Sequence, residues 1–178
     1  MNMWQNLNKD ENGFLHIELL ILMAILSSVA MIYICMGILR NQQLNNGYRM
    51  TAIYLAQGYS YAFYDRPLFK EEIEGWVHGP VVRNVYNMFS SYQYNCIDIN
   101  YEVEELDKEA EDVLNYVINN FAKYDSKYLE KLSHEQEPWI MARSGLDPDE
   151  RSDKTISKES ISNYFINEVF QPEMEEWD

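Results

Sequence analysis

At 178 residues, 47% of them apolar and 14% aromatic, the chain is long enough to bury one core and too apolar to be an unfolded tail. Its formal charge of −15 is lopsided: residues 1–100 carry 8 acidic and 6 basic side chains, whereas residues 101–178 carry 21 and 8. So acidic a half repels phosphate backbones, which argues against direct nucleic-acid binding and leaves a solvated surface or a basic protein partner as its counterpart.

Met1 to Gly13 is polar and asparagine-rich, the composition of a frayed end. Leu19 to Leu39 then runs without a charge, long enough to cross a bilayer. It is not a secretory signal, because no positive n-region precedes it and Asp10, Glu11 and Glu18 do. In a bilayer, Arg40 and Arg49 would leave the body on the cytoplasmic side, a membrane-anchored alternative. The expectation adopted is an apolar N-terminal helix, about Ser28 to Gln43, buried within a cytoplasmic domain. Cys35 and Cys96 stand in separate apolar settings and read as reduced core thiols.

Asn45-Asn46-Gly47 predicts a turn, and Arg49 to Phe63 a helix offering Ile53, Ala56, Ala62 and Phe63 to the core. Gln57 within it is expected to be a buried amide bridging backbone groups between helices. Asp65 to Pro67 is turn chemistry, since proline pushes the preceding Arg66 out of helical space. Gly79-Pro80 is a second punctuation, with Pro80 suited to the first position of a helix whose stripe is Val81, Val85, Met88 and Phe89, opposite Arg83, Asn84 and Asn87. The alternation of Ile97, Ile99, Tyr101 and Val103 predicts a short strand, with Gly75 to Val77 or Tyr92 to Asn95 as its partner.

Asp107 is placed to cap a helix with Ala110, Val113, Leu114, Val117, Ile118 and Phe121 on one stripe. Ser126 is read as the cap of a shorter helix through Leu129 and Leu132, and Pro138 as the opening of one containing Trp139 and Ala142. Gly145 to Lys154 is a polar loop. Ser157 caps a last helix, stapled across its start by Ile156 and Ile161. The fold expected is mainly α: one compact helical domain with a small β element near Ile97 to Val103.

Chemistry finds little footing. His16, His78 and His134 lie in unrelated segments, and His134-Glu135-x-Glu137 lacks the second histidine of a metal-binding helix face. There is no nucleophile elbow and no phosphate-cradling glycine loop. Ser133 and His134 are adjacent, so on a helix their side chains diverge. The chain is therefore expected to be no enzyme, to need no cofactor or metal, and to work by binding.

Arg66-Pro-Leu-Phe69, Ile73-Glu-x-Trp76, Gly79-Pro-Val81, Val85-Tyr86 and Phe89 resemble the signature of the Panacea domain, a phage- and prophage-associated family that includes SocA-like antitoxins. A second block is similar to the same family: Tyr128-Leu-x-x-Leu132-Ser-His134, Pro138-Trp139-x-x-Ala142-Arg143, then Ile156, Ile161, Tyr164 and Phe165. With Tyr54-Leu-Ala-Gln57-Gly58 upstream, the resemblance covers roughly 29–170. It implies an extension over 1–22, a domain over 23–170 and an acidic tail over 171–178. Arg49-Met-Thr-Ala52 replaces the basic, glutamine-containing run that such proteins usually carry there. The resemblance further implies an antitoxin of a toxin-antitoxin system that neutralises a co-encoded toxin by direct contact, the charge suiting a basic toxin. Alternatives are an adaptor delivering the toxin to an ATP-dependent protease, or a membrane-tethered regulator using Leu19 to Leu39. Arg66, Phe69, Trp76, His78, Arg83, Tyr86, Trp139 and Arg143 are the partner-binding candidates.

Overall fold

The computed structural model describes residues 46–90 and 106–170. The Leu19 to Leu39 stretch with its expected helix, both cysteines, the Ile97 to Val103 strand and the 171–178 tail lie outside the described residues.

Helix α1 (Asn46–Tyr64) is the element around which the others pack. Every residue from Tyr48 to Tyr61 is buried, polar Arg49, Thr51, Gln57 and Ser60 included. Its apolar residues are spread around the whole circumference, the pattern of a central helix. The helix already includes Asn46 and Gly47, so the expected turn is instead its first turn. It stops after Tyr64, where Asp65 takes φ 52° and its N–H donates to Tyr61 O at 2.9 Å. Aspartate is among the few side chains that visit this region readily.

Gln57 is fully buried, but it bridges α1 to an extended segment rather than to another helix. Its Oε1 accepts from the Leu68 and Phe69 amides at 3.0 and 3.1 Å, and its Nε2 donates to Phe69 O at 3.3 Å. One side chain thus supplies the partners that an irregular buried strand of chain cannot find for itself.

The small β element is a three-stranded antiparallel sheet of β1 (Ile73–Trp76), β2 (Gly79–Val81) and β3 (Thr155–Ile156), in the order β2-β1-β3. Pro80 therefore stands in a strand and opens no helix. Hairpin register pairs Glu74 with Val81 and Gly75 with Pro80, and an edge strand tolerates a residue lacking its N–H. Gly79, at φ 115°, takes the change of hand after the Val77-His78 turn. Helix α2 (Arg83–Phe89) follows, burying Val85 and Phe89, while Met88 is 46% exposed and leaves the expected stripe.

Helix α3 (Lys108–Phe121) is capped by Asp107, whose carboxylate accepts from Ala110 N at 2.8 Å, and buries Ala110, Val113, Leu114 and Val117 against α1. Helix α4 (Ser126–His134) is capped by Asp125, one residue before the expected serine, because its carboxylate reaches Tyr128 N at 2.8 Å. Helix α5 (Glu137–Ala142) carries Pro138 in its first turn, where no N–H is required. Ser157 caps α6 (Lys158–Tyr164) through Ser160 N at 3.0 Å, between the fully buried Ile156 and Ile161, as the staple predicts. A π-helical turn, Phe165–Phe170, continues it and lays the Phe165 ring on Gly58. Among the described residues, no helix is long and apolar enough to cross a membrane.

Candidate partner-binding face

Strand alternation puts Glu74 and Trp76 on one face of β1, and Glu74 is the hub of the first cluster there. Its Oε2 accepts from Trp76 Nε1 at 2.7 Å, and both its oxygens accept from Arg83, Nε at 2.8 Å and Nη2 at 2.5 Å. The guanidinium sits 5.3 Å above the Trp76 ring, and Tyr86 packs on the same indole with centroids 4.9 Å apart. Glu74 itself is only 14% exposed against 46% for Arg83, so a shielded carboxylate presents an outward-facing cation and two rings. This two-pronged grip pushes the arginine pKa upward.

The second cluster lines an open cleft of about 620 Å³ between the β1–β2 turn, α4, α5 and the loop after α5. Trp139 forms part of its wall, and its Nε1 donates to Trp76 O at 3.0 Å, which fastens α5 to the sheet. The His134 ring stacks on Trp139 at 4.0 Å and 15°. Burial lowers the His134 pKa below its usual 6.5; the Arg143 and His78 charges act in the same direction, while Glu130 and the Val77 backbone oppose. Its Nε2 is shielded from solvent and has no hydrogen-bond partner. His78, at the turn, is exposed and places Nδ1 at 2.9 Å from Glu130 Oε1.

Arg143 holds the cleft together from beneath. It is 6% exposed, with Nη1 donating to Gly75 O at 3.1 Å and Nη2 donating to the carbonyls of Asp147, Pro148 and Glu150 at 3.2, 3.2 and 2.8 Å. Its guanidinium also lies 5.2 Å from the Trp139 ring centre. A planar fork with several donors suits this task, since it ties a sheet carbonyl and three loop carbonyls at once.

Of the eight residues singled out in the sequence, Trp76, Arg83 and Tyr86 share the first cluster, and His78, Trp139 and Arg143 the second. Arg66 stands apart, pairing with Asp107 at 3.2 Å and with Glu109 at the start of α3. Phe69 is 5% exposed in the core. Glu74, Glu130 and the 146–149 loop were not singled out. The i, i+2 relation of Glu74 to Trp76 was a readable signal for the first; nothing local marks the others.

Ser133 and His134 are held by different partners, Ser133 Oγ donating back to Glu130 O at 2.9 Å inside its own helix. Among the described residues, no three His, Cys, Asp or Glu side chains gather as a metal site.

The family model for the SocA-like antitoxin, Panacea domain, matches residues 51–140. The chain belongs to this family. Comparisons with curated proteins and with solved structures gave no match. The matched Panacea region takes in most of α1, the β1–β2 hairpin, α2 and the chain as far as Ile140. The first cluster lies wholly within it. Arg143 and the loop that closes the cleft follow it, so this Panacea protein completes the cleft with residues beyond the matched segment.

Proposed function

We propose that this Panacea-domain protein is a cytoplasmic antitoxin that neutralises a co-encoded toxin by direct protein contact, with no bond made or broken by its own side chains. The observation that carries the reading is the family match over residues 51–140. The geometry supports it: aromatic and charged groups are presented at the surface by partners fixed inside the fold, Glu74 behind Arg83 and Arg143 behind the cleft. Pre-set groups of this kind bind a partner without first losing conformational freedom. The acidic C-terminal half suits a basic toxin and speeds their encounter.

The test is expression of each adjacent gene alone and together with this chain. Growth arrest by one neighbour, rescue by this protein and co-purification of the pair are expected; the absence of arrest by either neighbour, or rescue without association, would count against it. Rescue that vanishes when ATP-dependent proteases are deleted would assign the adaptor role instead.

A further inference from the structure

We propose that the cleft between the β1–β2 turn, α4, α5 and the 145–149 loop receives a segment of the toxin in which a lysine or arginine stands next to a large apolar residue. The inference rests on the antitoxin reading for its partner and on the cleft's own chemistry for that partner's sequence. At about 620 Å³ the open cleft has room for a few side chains of a partner.

One part of its lining is apolar: Trp139, its ring set by His134 on one face, with Leu146 and with Ile140, which is 49% exposed. The other part is acidic, with Glu130, Asp147 and Asp149 lining the cleft.

Among the basic residues that line the cleft, only His78 is paired with one of these carboxylates. Arg143 is buried beneath, its donors directed to four backbone carbonyls. His78 meets Glu130 from an 85% exposed position, a surface contact that a permanently charged side chain displaces at little cost. His134 lies stacked on the indole, where burial favours its neutral form, so it brings no cation to the carboxylates. A cation on the carboxylates and a ring or branched chain on Trp139 is the occupant that matches both parts. An acidic or purely apolar segment matches only one.

The experiment uses the full ¹⁵N-labelled chain and two acetylated, amidated peptides, Gly-Lys-Phe-Gly and Gly-Glu-Phe-Gly, with the Trp139 indole N–H as reporter, assigned from Trp139→Phe. The lysine peptide is expected to shift that signal and those of residues 145–149, and the glutamate peptide to leave them in place. Glu130→Gln with Asp149→Asn should weaken the lysine peptide about tenfold, two exposed charges contributing together roughly one decade. Equal shifts from both peptides, shifts from neither, or shifts confined to another face would overturn the proposal.

In cells, Glu130→Lys with Asp149→Lys should abolish rescue, whereas Glu111→Lys with Glu159→Lys, an equal change of charge on other helices, should not. Rescue by a folded cleft variant removes the cleft proposal and leaves the antitoxin reading intact. Specific binding of the lysine peptide without neutralisation of any neighbour does the reverse.

Discussion

Arg143→Lys separates a residue that contacts a partner from one that builds the surface a partner meets. The guanidinium makes four hydrogen bonds to carbonyls, one in β1 and three in the 147–150 loop. A lysine ammonium keeps the charge but is a single point on a flexible stem, able to serve the sheet or the loop and not both. Charge-assisted bonds contribute about 1.5–3 kcal/mol each, and losing two of them, with some relaxation of the exposed loop, costs about 2–4 kcal/mol. For a domain of this size that is a drop in Tm of roughly 5–15 °C. Chemical and thermal denaturation measure the total, and limited proteolysis between Gly145 and Lys154 reads the loop. The expected result is a destabilised protein cut faster in that loop. An unchanged Tm together with an unchanged cleavage rate would show that Arg143 does not hold the loop and leave it as a contact residue.

Gly58→Ala is predicted to destabilise by about 1–3 kcal/mol, because the new methyl would sit 2.3 Å from the Phe165 ring, itself enclosed by Tyr54, Tyr59 and Tyr164. Phe165→Leu in that background should recover part of the loss, as denaturant midpoints would show. Gln57→Leu strands the Leu68 and Phe69 amides without their acceptor and should cost about 2–4 kcal/mol, with hydrogen exchange quickest to rise at those two positions. The lowered His134 pKa gives a pH dependence of definite sign. Between the folded-state pKa and the ordinary 6.5 the unfolded chain holds more protons, so this group's contribution is complete above 6.5 and shrinks as the pH falls below it. Stability measured from pH 7 to 5 should fall less steeply in His134→Gln than in the parent, and parallel slopes would contradict this.

Local chemistry was legible and long-range pairing was not. The caps at Asp107 and Ser157 and the stripe of α3 are written in neighbouring residues, where a carboxylate or hydroxyl three positions before an amide has one obvious use. Pro80 misled because its fixed φ suits a helix start and an edge strand alike, and the choice was made by pairing with β1. The central place of α1 was hidden by its tyrosines, Arg49, Thr51 and Ser60. Such side chains look like surface in a sequence, yet they are buried here; Gln57 was expected to be buried, but its partner is an extended segment eleven and twelve residues away and not a helix. The candidate site divided the same way. Trp76, Arg83 and Tyr86 lie within one hairpin and the helix that follows it. The cleft joins the β1–β2 turn to a loop some seventy residues later, a distance over which no spacing rule operates.

On the proposed reading, this protein would inactivate another by holding it. The most direct test of that reading mixes the purified full chain with the purified product of the toxic neighbouring gene and follows that toxin's activity while the complex is sized by light scattering. Stoichiometric loss of activity in step with complex formation, with neither ATP nor a protease present, is the result predicted. Undiminished toxin activity at saturating antitoxin, or loss of activity at a small fraction of one equivalent with covalent change in the toxin, would contradict it.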